Sequence, residues 1–534
     1  MSEQIALPLL IGMAGASANV TAEFAGSKAA QLARMAQLGL EVPPAFVMPA
    51  TLCAPANVDD EQTLRALDQC LRTGIARLEA ATRRRFGDSR SPLLVSVRSG
   101  AAKSMPGMLE TILNVGLNDE TVHGLIRMSG NPRLAWDSYR RFIQGYAEVV
   151  HGISGAVFEQ SLADMMRREG VASEADLDPE ALERLSHDFG EISVRLAGHA
   201  VPDDPNEQLN TAARAVYRSW ESPRAREYRR LNKLEKLAGT AVTVQAMVFG
   251  NAGIKSGSGV AFTRNPATGE NELYVDFLFD AQGEDVVAGR RTPGNVAQLA
   301  ARLPDIARRL NDGAKRLERE FRDVQDVEFT VESDKLYFLQ TRTAKRTPRA
   351  ALRIAVDLVR EDLIDTKTAL GRLAEIDLAH VGVARFSGSA EPIAVAIPAS
   401  PGVASGRIAF DSACAKQLSD AGDPVILVRP ETSTEDIAGF AVADGILTAA
   451  GGRTAHAAVV ARQLGKVCLV GCRSLVIDEA RRSANFGAAA IREGDWISLD
   501  GDTGGITLGK RSIVTERPEA EFAEIQRWRD QITK

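Results

Sequence analysis

A glycine-rich loop that leads into a short helix between two apolar strands constrains the fold of this chain more than any other feature. Strand-like runs at 445–448 and 467–470 flank the stretch Gly451–Arg462. Its two leading glycines allow backbone conformations that other residues avoid. Thr454 is a suitable N-cap for the helix, and Gly465 is a natural stop. This order of strand, helix and strand predicts a compact α/β unit.

His456 lies in the first turn of that predicted helix. Free backbone amides and the positive end of the helix dipole favour a group that becomes anionic there. A neutral imidazole with a pKa near ~6.5 is a competent nucleophile toward phosphorus. We interpret His456 as a transiently phosphorylated residue. A partly buried histidine that caps a helix is the alternative, and it is the commoner case for an isolated histidine.

Bulk composition excludes several classes of function. The 534 residues are enough for roughly three or four domains of ordinary size. A net charge of -6 and the lack of a strongly basic tract disfavour nucleic acids and anionic membranes as partners. Five scattered cysteines indicate a reducing compartment. The sequence shows no signal peptide and no apolar run near ~20 residues, so we expect a cytoplasmic protein without a membrane span.

Two basic residues in the N-terminal part are candidate phosphate contacts. Lys28 follows a glycine turn and begins an amphipathic helix, where a cation is unfavourable unless an anion is near. A solvated surface lysine is an equally good interpretation of this residue alone. Arg98 ends an apolar strand, and because an unpaired buried charge is costly, it requires a phosphate or a carboxylate partner.

Four polar residues on two successive strands form a candidate metal and phosphate site. Asp326 and Glu328 project to one face of the first strand, and Gln340 and Arg342 project to one face of the second. Two carboxylates suit a Mg²⁺ ion that bridges nucleotide phosphates, and a guanidinium suits the phosphates themselves. An ordinary strand pair that faces solvent is the alternative.

Changes in periodicity divide the chain into four parts. Strand-rich segments surround a mainly helical stretch, a charged helical segment follows, and three prolines then mark the entry to the α/β unit. The predicted parts are a first domain at 1–345 with a helical subdomain at about 119–235, a helical connector at 346–392, an α/β domain at 393–512 and a C-terminal helix at 513–534.

Five long motifs, in this order along the chain, resemble the pyruvate phosphate dikinase family and, more distantly, phosphoenolpyruvate synthase. The resemblance covers essentially the whole chain but only the N-terminal part of the family's enzyme. The motifs are Val95–Gly100 with Ser104–Met108, Gly259–Pro266, Ala281–Gly289, Gln325–Thr330 and Gly451–Arg462.

The resemblance implies a multidomain α/β fold, in which an ATP-grasp nucleotide-binding region precedes a swivelling phosphohistidine domain. It implies that His456 is the phosphorylated residue and that Asp326 and Glu328 handle Mg²⁺. In the family, the β-phosphoryl group of ATP ends on histidine, AMP is released, and the γ-phosphate passes to inorganic phosphate or water. The implied ATP contacts are Lys28, Arg98, Asp276, Glu284, Gln340 and Arg342.

Three departures from the family pattern matter. Asp276 stands where the family has a glutamate, which keeps the charge but shortens the reach. Arg453 and Ala455 replace a methionine and a serine on either side of Thr454. Thr454 matches a regulatory phosphorylation site in some relatives, and that regulation does not transfer on sequence alone. The family's phosphoenolpyruvate/pyruvate barrel, of about 250 residues, has no counterpart after residue 512.

These features predict an ATP-dependent phosphotransferase that forms phosphohistidine on His456. We expect the acceptor, pyruvate or a similar acid, to bind on a separate barrel-type chain, as in a split dikinase. The closer match to the dikinase favours inorganic phosphate over water as the second acceptor. A regulatory relative that binds nucleotide without turnover is one alternative, and the intact set of site residues disfavours it. An antibiotic-type phosphotransferase is another, disfavoured because only a short connector separates the two modules. The oligomeric state stays open.

Overall fold

The chain forms two compact units, Met1–Gly253 with Tyr337–Gln340 and Ile254–Leu336 with Thr341–Lys534. Helices and strands alternate in both, so the protein is a multidomain α/β protein. None of the helices in the described ranges combines the length and the hydropathy that a membrane crossing requires. The computed structural model describes residues 7–53, 60–103, 105, 108–237, 239–288, 293–374, 376, 381–431, 436–452, 456–487 and 489–532.

A five-stranded antiparallel sheet lies at the centre of the first unit. Its strands, with a separate short pair, are β1 Leu9–Ile11, β2 Ala45–Met48, β3 Arg85–Phe86, β4 Pro92–Leu93, β5 Val95–Ala101, β6 Thr111–Val115 and β7 Thr240–Ala246. The sheet order is β1-β2-β7-β5-β6. Helices α1 Ala22–Gln37 and α2 Glu61–Thr82 pack against it, and β2 and β7 are buried along their whole length.

Six helices follow β6 before the chain returns to the sheet. They are α3 Thr121–Ser129, α4 Pro132–Val149, α5 Gly155–Glu169, α6 Pro179–Ala197, α7 Pro205–Ser219 and α8 Pro223–Leu231, with a short 3-10 helix at Glu174–Asp176 between α5 and α6. Another short 3-10 helix, Ala50–Cys53, follows β2. Four of them begin with a proline behind a side-chain cap, such as Asn131 before α4, which explains where they start. Phe142 and Phe189 from these helices share one hydrophobic core with Val97 and Val244 of the sheet.

A four-stranded sheet opens the second unit. Its elements are β8 Gly257–Phe262, β9 Tyr274–Phe279, α9 Gly283–Ala288, α10 Val296–Arg302, α11 Pro304–Phe321, β10 Gln325–Glu332 and β11 Lys335–Thr343. The strand order is β11-β10-β8-β9. Phe277 and Phe329 stack with their ring centroids 5.6 Å apart, and α11 packs against β10.

A buried ionic cluster holds the end of β8 to two helices. Arg264 is fully buried, and its Nη2 donates to Glu318 Oε1 and to Glu361 Oε2, each at 2.7 Å. Its Nε also donates to Glu318 at 3.1 Å. The two carboxylates raise the pKa of Arg264 against the opposing effect of burial. The cluster therefore keeps a permanent charge that needs both partners.

Glu318→Ala is expected to lower the free energy of unfolding by about 3–5 kcal/mol, because it leaves the buried Arg264 guanidinium with one acceptor side chain. Urea denaturation followed by circular dichroism measures the change. The control is Asp305→Ala, which removes an exposed ion pair with Arg308 on the same helix. Equal losses in the two variants would show that the buried cluster contributes no more than a surface pair.

A connector of two helices and a strand precedes the last domain. Its elements are α12 Pro348–Arg360, α13 Thr366–Leu373 and β12 Val383–Phe386. The sequence predicts a wholly helical connector at 346–392, and β12 corrects that prediction at its end. The β-branched Val383 and the aromatic Phe386 are residue types that favour strands.

The last domain is built on an eight-stranded mixed sheet. Its elements are β13 Ala394–Val395, β14 Ile397–Ser400, β15 Val403–Ala409, α14 Ser412–Asp420, β16 Val425–Arg429, α15 Ile437–Val442, β17 Gly445–Thr448, α16 His456–Leu464, β18 Val467–Val470, β19 Leu475–Asp478, β20 Ser483–Phe486, β21 Ala489–Arg492, β22 Trp496–Asp500 and β23 Gly505–Leu508. The order is β13-β23-β22-β15-β16-β17-β18-β14, and β15 to β18 run parallel. Strand β16 is buried on both faces, Ile426 in one core and Leu427 in another.

The C-terminal segment returns to the connector. Strand β24 Ile513–Glu516 pairs antiparallel with β12, and helix α17 Glu519–Ile532 follows. The sequence predicts a helix from residue 513, but the β-branched run at its start favours a strand, so the helix begins after Pro518. Ile525 and Trp528 of α17 are buried in one core with α12 and α13.

Candidate functional site

Gly451 and the limits of α16 agree with the sequence prediction. Gly451 has a φ of 106°, a conformation that favours glycine. The helix begins at His456 and ends at Leu464, and Gly465 follows it with a φ of 65°. The structure thus confirms that His456 lies in the first helical turn. Thr454 lies outside the described residues, and so do its neighbours Arg453 and Ala455.

Three carboxylates share one face of the four-stranded sheet. Asp326 of β10 pairs with Phe262 of β8, and Glu328 pairs with Val260. On the other side of β8, Val260 pairs with Asp276 of β9. Because side chains alternate between the faces of a sheet, these paired residues project to the same side. The sequence predicts a shared face for Asp326 and Glu328, and the register adds Asp276 to it.

Arg342 completes this group through an ion pair. Its Nε donates to Asp326 Oδ2 at 2.8 Å. The Arg342 side chain is 46% exposed, whereas that of Asp326 is 8% exposed. Burial raises the pKa of Asp326, and the guanidinium of Arg342 limits that rise. Arg342 therefore combines a fixed position with an exposed surface that a phosphate oxygen can reach.

The carboxylate face fits a Mg²⁺ ion whose remaining ligands come from nucleotide and water. Asp326 Oδ1 is buried and has no hydrogen-bond partner among the described residues, so it leaves an acceptor for a cation. Within the same ranges, no group of three or more histidine, cysteine, aspartate or glutamate side chains could hold a metal. Two carboxylates with phosphate and water oxygens match the usual coordination of Mg²⁺. Asp326 and Glu328 could supply the protein ligands of such an ion.

Lys28 and Arg98 lie on two elements of the first unit that make a close backbone contact. The structure interrupts α1 at Gly26, which has a φ of 79°, so Lys28 lies in the first turn after a kink. A Cβ added to Gly26 would lie 2.1 Å from the carbonyl oxygen of Gly100 in β5. Arg98 is on the same strand, and its Nε is buried with no hydrogen-bond acceptor among the described residues. The contact holds α1 against β5 near both basic residues.

Gly26→Ala is expected to destabilise the first unit by at least about 2 kcal/mol and to weaken ATP binding. The added Cβ overlaps the Gly100 backbone, and the positive φ strains any side chain. Thermal melting and equilibrium binding of ATP measure the two effects. Gly39→Ala serves as the control, because its φ is also positive but a Cβ there would meet no atom within 4 Å. Similar losses in both variants would assign the effect to backbone strain alone.

Gln340 lies on a strand of the same sheet, and Glu284 lies on a helix that packs against that sheet. Gln340 is 7% exposed in β11, the strand that also contains Arg342 and lies next to β10. Glu284 is exposed in the first turn of α9, which packs against β8, β9 and β10. The structure therefore unites Asp276, Asp326 and Arg342 on one sheet. It leaves Glu284 at the start of a helix.

Arg462 is a site residue that the sequence interpretation missed. It lies on α16 and is 1% exposed. Its guanidinium carbon is 5.6 Å from the centroid of the Phe262 ring, on the carboxylate face of β8. Next to it, Tyr274 Oη donates to the carbonyl oxygen of Pro398 at 3.2 Å. The domain that contains His456 thus packs on the face that holds the carboxylates. The sequence signal that could have identified Arg462 was a single arginine within a helix of mainly alanine and valine.

Comparison with known sequences gives two family matches that follow one another along the chain. The family described as "Pyruvate phosphate dikinase, AMP/ATP-binding domain" matches residues 64–303 and 299–362. The family described as "PEP-utilising enzyme, mobile domain" matches residues 421–504. The first match holds the carboxylate face, and the second holds the loop and helix of His456.

Curated relatives extend the similarity over nearly all of the chain. It is 45% identical to pyruvate, phosphate dikinase of Clostridium symbiosum over 512 residues, 95% of this chain and 59% of that protein. It is 44% identical to the chloroplastic enzyme of Flaveria pringlei over 513 residues, 95% of this chain and 54% of the relative. It is 42% identical to pyruvate, phosphate dikinase 2 of Zea mays over 516 residues, which are 96% of this chain and 58% of that protein. The chain spans little more than half the length of these relatives.

The first family match alone covers more than half of the chain, and the matched segments contain the carboxylates, the ion-paired arginine and the histidine helix. The chain belongs to the pyruvate phosphate dikinase family.

Proposed function

We propose that this chain is an ATP-dependent phosphotransferase that forms phosphohistidine on His456 and releases AMP. The proposal depends on one structural observation. The domain whose helix begins at His456 contacts the face that holds Asp326, Glu328 and Arg342, through Arg462 against Phe262. A phosphoryl donor held at this face would therefore lie against the domain that contains the nucleophile.

These residues have different roles in the proposed reaction. Asp326 and Glu328 would hold Mg²⁺, which when bound would neutralise charge on the phosphates. Arg342, positioned by its ion pair with Asp326, binds phosphate oxygens. The backbone amides at the start of α16 stabilise negative charge that develops beside the histidine. The proposed ATP contacts are Lys28, Arg98, Asp276, Glu284, Gln340 and Arg342.

The proposed transfer exchanges one bond at the β-phosphorus of ATP for another. An imidazole nitrogen of His456 forms a bond to the β-phosphorus, and the bond from that phosphorus to the oxygen shared with the α-phosphate breaks. AMP leaves, and the γ-phosphoryl group passes to inorganic phosphate, which is converted to pyrophosphate, or to water. The phosphoryl group then moves from histidine to pyruvate or a similar small acid.

The acceptor is proposed to bind outside the domains described above, on a barrel-type protein. The sheets in the described ranges have the open strand orders given above, and none of them closes into a barrel of alternating strands and helices. A pull-down with a barrel-type candidate, followed by pyruvate-dependent loss of the phosphoryl group, tests this part. Loss of the group with pyruvate and without any partner would contradict it.

Labelled ATP tests the proposed function directly. With Mg²⁺ and inorganic phosphate, a β-label should enter the protein and a γ-label should not. The bound label should be labile in acid and stable in base, and AMP should appear in equal amount. Omission of Mg²⁺ or addition of a chelator should prevent labelling. Nucleotide binding without AMP release or label would instead support a regulatory relative without turnover.

A further inference from the structure

Helix α16 contains a buried cation that the proposed phosphoryl transfer does not use. Arg462 is 1% exposed, and its Nη1 donates to the carbonyl oxygen of Ala399 at 2.9 Å. That bond lies within the phosphohistidine domain. The helix also begins at His456, so the position of Arg462 sets where the first turn of the helix lies.

Arg462 lies against the sheet of the carboxylate face: its guanidinium carbon is 5.6 Å from the ring centroid of Phe262, which pairs with Asp326. Burial lowers the pKa of Arg462, and Tyr274, Asp276 and Asp326 on this sheet oppose that shift. Asp276 and Asp326 are 3% and 7% exposed. Because both carboxylates and Arg462 are withdrawn from water, salt and solvent screen their interaction only weakly. The attraction therefore acts between the phosphohistidine domain and the carboxylate face.

A second contact shows that the packing around Asp276 is tight. A Cβ added to Gly452 would lie 2.2 Å from Pro293 Cγ and 3.1 Å from Asp276 Oδ2. Its φ lies outside the left-handed range, so the glycine is needed for space and not for conformation. The loop before His456 and the helix after it thus both contact the surroundings of Asp276.

A count of charges shows what a divalent ion would change. Asp276, Asp326 and Glu328 supply three negative charges to the face, and Arg342, Arg462 and the nearby Lys345 supply three positive charges. The face is therefore neutral before an ion binds, and a divalent cation adds two positive charges to it. Buried excess charge is costly, so the ion and the guanidinium of Arg462 oppose each other there until phosphates restore the balance.

We propose that Arg462 is a positioning residue, which docks the phosphohistidine domain through Asp276 and Asp326 and competes with a divalent cation for the Asp326 carboxylate. The inference rests on the proposed function only in taking Asp326 as a metal ligand. It follows that metal alone weakens docking, whereas metal together with nucleotide phosphates does not. The domain is then held in place only when the phosphoryl donor is present or the metal is absent.

Binding of Mn²⁺ without nucleotide, measured by electron paramagnetic resonance, tests the competition. Arg462→Met is expected to bind Mn²⁺ at least about fivefold more tightly than the wild type, because the competing charge is gone. Arg462→Lys restores the charge and should return the affinity close to that of the wild type. The control is Arg407→Met, which breaks an ion pair with Asp423 in the same domain and should leave the affinity unchanged. Equal or weaker binding by Arg462→Met would overturn the proposal.

The variant Gly452→Ala tests the same competition without changing Arg462. The added methyl group should push the domain away from Asp276 and so tighten Mn²⁺ binding as well, which covers the case in which Arg462→Met fails to fold. Unchanged affinity in a folded Gly452→Ala variant would contradict the inference. Mn²⁺ binding is measured without ATP and is therefore independent of the labelling experiment. Absence of label on His456 would refute only the proposed function, and equal Mn²⁺ affinities of wild type and variants would refute only this inference.

Discussion

His456→Ala is expected to abolish transfer of the β-label to the protein, with a fall in labelling rate of at least about a thousandfold. A nucleophile that forms a covalent intermediate has no substitute when its side chain ends at Cβ. Release of AMP should fall in parallel, because the transfer to histidine is the step that breaks the bond to the α-phosphate. Rapid-quench labelling and nucleotide chromatography measure the two quantities.

The control for this experiment is another histidine of the same chain. His187→Ala alters an exposed residue of α6 in the first unit, so labelling should continue at the wild-type rate. ATP binding by His456→Ala should also be retained, because none of the proposed nucleotide contacts has changed. A label that persists in His456→Ala would place the nucleophile elsewhere, and a loss in both variants would point to unfolding.

Asp326→Asn is expected to reduce Mg²⁺-dependent labelling by about a hundredfold or more while leaving the protein at least as stable as the wild type. The amide keeps the shape of the side chain but removes the charge that binds the cation. The direction of the stability change follows from the raised pKa of the Asp326 carboxyl group. Because burial raises the pKa of Asp326, folding disfavours its ionised form, and stability falls as pH rises through that pKa. Near neutral pH, the neutral amide removes this cost.

Thermal melting and labelling at several Mg²⁺ concentrations separate the two effects of Asp326→Asn. Arg342 stays partly exposed, and the buried Arg462 keeps the carboxylate of Asp276, so loss of the Asp326 charge leaves neither cation buried without a counter-charge. Asp334→Asn, on the turn after β10 and paired with Lys255 at the surface, should change neither quantity. Labelling of Asp326→Asn at the wild-type rate would exclude Asp326 as a metal ligand. A large drop in melting temperature would show that its charge is needed for folding.

Much of the last domain and part of the carboxylate face could be predicted because their signals are local. Gly465 ends α16 through its own backbone conformation, and the alternation of side chains in a strand places Asp326 and Glu328 on one face. The C-terminal segment was predicted less well. Residues 513–516 pair with β12, which is distant in the chain, and a strand that depends on such a partner leaves only a weak local signal. The kink at Gly26 likewise depends on contact with Gly100.

The sequence by itself determined the α/β class, the histidine at a helix start and the family, because these depend on local periodicity and on motifs that lie within short stretches. Only the tertiary structure decided that Asp276 joins the face of Asp326 and Glu328, and that Arg462 is buried against it. The physical reason is that burial and charge pairing depend on which distant segments meet. Arg462 has an unremarkable place in the sequence, and its role follows from the carboxylates that the fold places beside it.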